Sequence, residues 1–129
     1  MADEKKKMRI FKNRWFTRFA KRERLSDKIL QQVIDEAERE VVDADLGGNI
    51  IKQRVARAGQ GKSGGYRTII VFKKGDKAFF VYGFSKSDRE NIDRDELITF
   101  KKSAKELLSL SDKQIEQLLK KGAFTEVIR

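Results

Sequence analysis

Apolar positions change their period along the chain, and each change marks a boundary between elements. Arg9-Ile10-Phe11 is a short apolar piece read as an edge strand, although two apolar neighbours give little alternation. Phe16, Phe19 and Ala20 then recur at helical spacing, with Arg14, Arg18, Lys21 and Arg22 on the other face. A second amphipathic helix follows, capped by Ser26 or Asp27, with Ile29, Leu30, Val33, Ile34 and Ala37 along one stripe.

The cluster Asp43-Ala44-Asp45-Leu46-Gly47-Gly48-Asn49 predicts a turn, after which the period falls to two. Ile50 to Arg57 is the first long strand, with Lys52, Arg54 and Ala56 on one face and Ile51, Gln53, Val55 and Arg57 on the other. Tyr66 to Phe72 and Ala78 to Phe84 are rich in β-branched and aromatic residues and are joined by a loop containing Gly75. They predict an antiparallel hairpin at the centre of a sheet. Helical period returns from Leu97 to Leu108, with Asp93 and Glu96 at capping-box spacing. A second box, Ser111 with Gln114, opens a short helix that Gly122 stops as a left-handed cap, with Phe124 folding back onto it. The predicted order is strand, two helices, three strands, two helices. That is an α+β fold: a small, mainly antiparallel sheet faced by two N-terminal helices, with additional C-terminal helices. No repeat or long linker divides the chain, so residues 1–129 read as one domain with a frayed leader at 1–7.

Composition narrows the chemistry. The chain has neither cysteine nor histidine, which removes disulfides, thiolates and the commonest metal ligand, so neither a metal nor another cofactor is expected. No run is apolar and long enough to span a membrane, and the start of the chain lacks the apolar core of a secretory signal, so the expected location is the cytoplasm. A net charge of +10 points to an anionic partner.

That charge is concentrated. From Leu46 to Gly75 seven cations (Lys52, Arg54, Arg57, Lys62, Arg67, Lys73 and Lys74) occur without an intervening carboxylate. Strand spacing converges part of the set on one side, and the glycine-rich connector 58–65 lets a ligand's backbone approach closely. These features favour nucleic-acid binding over a merely solvated face. Gly61-Lys62-Ser63 is similar to the end of a nucleotide-binding P-loop, but Ala56 stands where that pattern needs glycine and a strand follows where it needs a helix. Among the aromatics, helices covering the sheet would bury most, leaving Tyr66 open as a base-stacking residue. The acids from Asp88 to Glu96 are explained by the start of a helix.

Three segments carry a family resemblance: Lys52-Gln53-Arg54-Val55-Ala56-Arg57, Gly61-Lys62-Ser63-Gly64-Gly65-Tyr66-Arg67-Thr68, and Tyr82-Gly83-Phe84-Ser85-Lys86-Ser87. They resemble the RelE superfamily of bacterial toxins, in its HigB-like branch, and the resemblance spans nearly all of the chain after Met8. It implies a RelE-like fold and a ribosome-dependent endoribonuclease that cuts mRNA in the decoding site by attack of the 2′-hydroxyl. It also implies a cognate antitoxin, often a helix-turn-helix protein. By position, the resemblance gives Lys52, Arg54, Arg67 and Lys86 the catalytic roles and bears less strongly on Arg57 and Lys62, which with Tyr66 and Lys73 are the RNA-binding candidates. The arginines would stabilise phosphorane charge, while Lys52, Lys62 or Lys86 would serve as base or acid. One departure stands out: the tyrosine that would follow the last basic motif is absent from Asp88-Arg89-Glu90-Asn91-Ile92. Two alternatives remain, a non-catalytic nucleic-acid-binding module and a gyrase-inhibiting toxin of the same fold.

Overall fold

The computed structural model describes residues 7–57 and 64–128, so most of the leader expected to fray and residues 58–63 of the glycine-rich connector lie outside it. The strands are β1 (Arg9–Asn13), β2 (Ala44–Gly47), β3 (Ile50–Val55), β4 (Tyr66–Lys73), β5 (Lys77–Ser85) and β6 (Phe124–Glu126). The helices are α1 (Arg14–Arg22), α2 (Asp27–Glu38), α3 (Arg94–Leu108) and α4 (Asp112–Lys120). The strands form one six-stranded sheet in the order β2-β3-β4-β5-β1-β6. Only the β1–β5 pair among them is parallel.

Each face of the sheet has its own cover. On one, Phe16, Leu30 and Ile34 of α1 and α2 pack with Ile51, Ile70 and Phe80. On the other, Ala104 of α3 and Ile115 of α4 pack with Ile50, Ile69 and Phe79. Burying both faces is the main stabilising term available to a chain without disulfides.

Local chemistry sets the boundaries. Ser26, rather than Asp27, caps α2 by accepting from the Ile29 N–H. Both capping boxes form, Asp93 with Glu96 and Ser111 with Gln114. Gly122 takes the left-handed conformation (φ 77°) that ends α4.

Three expectations change. β1 is internal, lying between β5 and β6. The weak alternation has a reason: Ile10 belongs to one core and Phe11 to the other, and both are buried. The turn cluster contains strand β2, with the reversal confined to Gly47, Gly48 and Asn49, all at positive φ. Phe124 does fold back, packing on Phe79 at 5.4 Å, but as the start of a sixth strand paired with β1. Arg9 fixes that edge through ion pairs to Glu126 at 2.8 Å and Glu116 at 2.9 Å.

Candidate nucleic-acid interface

The alternation in β3 sorts its residues as the sequence predicts. Ile51, Gln53 and Val55 are buried against α1 and α2, and Lys52 and Arg54 point to the opposite side. Gln53 holds this register: its amide donates to the Val41 carbonyl at 2.9 Å and accepts from the Asp43 N–H at 2.8 Å. Thr68 of β4 donates to the Gln53 carbonyl at 3.0 Å. Across the ladder, Arg54 stands opposite Arg67, and Lys52 opposite Ile69. The three cations therefore share one face of two adjacent strands.

Gly65 makes this approach possible. A Cβ there would lie 2.0 Å from the Val55 carbonyl oxygen, so only glycine lets the chain re-enter β4 against the end of β3. This gives part of the Gly-Gly-Tyr-Arg motif a physical reason.

The next strand adds aromatics. Register between β4 and β5 shifts at Ile69/Ile70, so that Arg67 pairs with Phe84 and Ile69 with Tyr82. Without that bulge, Gly83 would face Arg67 and the aromatics would change sides. Phe84 and Tyr82 instead line the cationic face, 6.0 Å apart between ring centroids.

The segment after β5 folds over these rings. The Arg89 guanidinium lies 5.8 Å from the centroids of both Tyr82 and Phe84 and donates to the Tyr82 phenol oxygen at 3.1 Å. It also makes a two-pronged pair with Glu96, at 2.6 and 3.0 Å, and donates to the Asn91 carbonyl at 2.9 Å. Arg89 accordingly holds its proton more tightly than a free arginine, chiefly through Glu96 and then Tyr82. The Glu96 carboxyl is pulled below its ordinary value by Arg89 and by the Asp93 N–H. Asn91 links the loop to the cations, because its side-chain oxygen accepts from Lys52 Nζ at 3.2 Å. Lys86 is exposed in the turn that follows Ser85, at the end of β5 where Arg67 pairs.

Not every candidate residue joins this group. Tyr66 is buried on the face covered by α1 and α2, 3 % exposed, with its ring edge-on to Phe19. Its phenol donates to Glu23 at 2.7 Å and accepts from Arg57 Nε at 3.0 Å. Burial, then the bond to Glu23, pushes the Tyr66 phenol up, while that bond and Arg22 hold the Glu23 carboxyl below its usual range. Arg57, stacked over the Tyr66 ring at 5.1 Å and 3.7 Å from the Glu23 carboxylate, is tied to that contact, and it lines one cavity together with Arg54. Lys73 is six residues up β4 from Arg67, about 20 Å away. Lys62 lies outside the described residues. Sequence reasoning missed Tyr82, Arg89 and Asn91. Tyr82 carried a signal in its alternation with Phe84, but its side depends on the bulge.

The face sets two arginines and a lysine on adjacent strands beside the half-buried Tyr82 ring, chemistry that suits a phosphate-bearing ligand. The comparison with protein families sharpens this class. A family model described as the RelE toxin of RelE / RelB toxin-antitoxin system matches residues 8–127, and the chain belongs to that family. It is therefore a toxin of a toxin-antitoxin pair. No curated protein matches the chain. None of the helices described is long and apolar enough to cross a membrane.

Proposed function

We propose that the protein is a ribosome-dependent endoribonuclease of the HigB-like branch, cutting mRNA at the face that carries Lys52, Arg54, Arg67 and Lys86. Membership in the RelE toxin family supports the reading, since toxins of this family are generally ribosome-dependent mRNA endoribonucleases. The observation that carries it is the in-register opposition of Arg54 and Arg67 with Lys52 on the same face.

In the reaction, the 2′-oxygen forms a bond to the adjacent phosphorus and the bond from phosphorus to the 5′-oxygen breaks. A 2′,3′-cyclic phosphate and a 5′-hydroxyl result. Arg54 and Arg67 neutralise the charge that builds on the non-bridging oxygens, an effect worth roughly 3 to 4 kcal/mol for a well-placed donor. Lys52 and Lys86 are the candidates for the two proton transfers, removal of the 2′-hydroxyl proton and delivery of a proton to the departing 5′-oxygen. Arginine is too strong a base to exchange protons here. The ribosome supplies what this site lacks, a codon held in attacking geometry.

The natural location is the cytoplasm, where translated mRNA is found, and the natural regulator is a cognate antitoxin, a helix-turn-helix protein in the HigB-like case. Induced expression followed by mapping of mRNA ends tests the reading. It predicts new 5′-hydroxyl ends within translated codons. DNA damage signalling without new ends would instead indicate a gyrase inhibitor, and salt-sensitive RNA binding without cleavage a binding module.

A further inference from the structure

Trp15 is the sole tryptophan of the chain and, among the described residues, the only aromatic side chain that is exposed, at 42 %. The apolar face of α1 does not need it, because Phe16, Phe19 and Ala20 supply the buried contacts. Its place follows from where β1 ends. Asn13 closes β1 by donating its side-chain amide to the Val81 carbonyl at 3.0 Å and caps α1. β5 then runs on to Ser85 beyond its pairing with β1. Trp15 stands beside that unpaired edge, 4.5 Å from the Tyr82 ring and 5.3 Å from Phe19 between centroids. It is thus continuous with the aromatic end of the cationic face.

The ring is firmly seated on a helix rich in positive charge. A Cβ on Gly83 would lie 2.6 Å from the Phe19 ring, so α1 is packed as closely as a glycine permits. Arg14, Arg18, Lys21 and Arg22 are exposed on α1, which contains no acid. A rigid aromatic face among cations suits a nucleobase whose flanking phosphates are anionic. A membrane surface would need a broader apolar face than one indole.

We propose that Trp15 is a nucleobase-stacking residue, holding a base of single-stranded RNA near the phosphate bound by Arg54 and Arg67. The inference rests on the nuclease reading and deepens it. From Arg54 through Arg67 and Phe84 to Trp15 the path crosses β3, β4 and β5, about 15 Å at ordinary strand spacing. A few nucleotides cover that distance.

Because Trp15 is the only tryptophan, its fluorescence reports the contact directly. The probe is a short single-stranded RNA with 2′-O-methyl riboses, which cannot be cleaved. Titration of the full chain should quench Trp15, Trp15→Ala should weaken binding about 10- to 100-fold by anisotropy, and Trp15→Phe should restore most of it. Both variants should keep the parent's unfolding temperature within a few degrees. Binding with unchanged fluorescence and unchanged affinity of Trp15→Ala would overturn the stacking role while leaving the phosphate site intact. Loss of antitoxin capture by Trp15→Ala, with RNA affinity unchanged, would overturn it in favour of a protein interface. Absence of saturable binding by the parent would overturn the stacking role, while the nuclease reading is tested separately by cleavage of translated mRNA.

Discussion

Arg54 and Arg67 stand directly opposite one another on β3 and β4, two positive side chains in one cross-strand pair. The cross-strand pairing brings the two guanidinium-bearing side chains to one place on the face proposed to hold an RNA phosphate.

Arg54→Ala should separate stability from function. Removing the exposed Arg54 side chain should leave the unfolding temperature within about 2 °C of the parent's. Cleavage of translated mRNA should fall by about 100- to 1000-fold. Thermal unfolding and single-turnover cleavage measured on the same preparation check both halves.

Tyr66→Phe should do the opposite. The phenol is buried away from the cationic face and bonded to Glu23 and Arg57, so its loss should cost about 1 to 2 kcal/mol and leave cleavage nearly unchanged. A pH dependence follows from the same contact. The folded Glu23 carboxyl lies below its unfolded value, so its contribution is complete above the ordinary carboxylate range and is lost as pH falls through the folded value. The Tyr66 phenol lies above its unfolded value, so its contribution is complete below about pH 10 and fades as pH rises further. Denaturant titrations across pH should show shallower acid and alkaline losses in Tyr66→Phe than in the parent.

Gly65→Ala should damage both properties. Its Cβ would collide with the Val55 carbonyl, forcing the end of β4 away from β3 at a cost of about 1 to 3 kcal/mol. Arg67 lies two residues on, so cleavage should fall even at temperatures where the variant stays folded. Unfolding curves and cleavage rates at low temperature distinguish this displacement from simple unfolding.

Arg89→Ala should free the segment between β5 and α3. It removes the bonds to Tyr82, Asn91 and Glu96 together, and with them the anchor of the residue that positions Lys52. Cleavage should drop about tenfold or more through misplacement of Lys52. Arg89→Lys should restore little, because an ammonium cannot reproduce the planar two-pronged contact with Glu96. Comparing the two variants by cleavage rate and by hydrogen exchange in residues 86–93 tests this.

Much of this architecture was legible because local rules and the fold agree. Period two in β3 put Lys52 and Arg54 on one face, and both capping boxes formed where their spacing indicated. What escaped depended on distant partners. β1 looked like an edge because Ile10 and Phe11 serve different cores, and β6 is too short to announce itself. Tyr66, kept open as a stacking residue because the other aromatics were expected to be core, is itself buried against Phe19, and the side that Tyr82 faces depends on a one-residue bulge at Ile69/Ile70 that no local pattern encodes. Arg57 shared a cationic stretch with Arg54 but is held by Glu23, more than thirty residues away in the chain.

The most direct test is cleavage of an mRNA on purified translating ribosomes by the parent and by the Arg54→Ala/Arg67→Ala double variant, with both shown to be folded. The proposed function predicts defined cuts within codons for the parent and essentially none for the variant, with naked RNA a poor substrate for either. Equal cutting by the two proteins would mean that the opposed arginines do not hold the scissile phosphate, and the proposed site would be wrong.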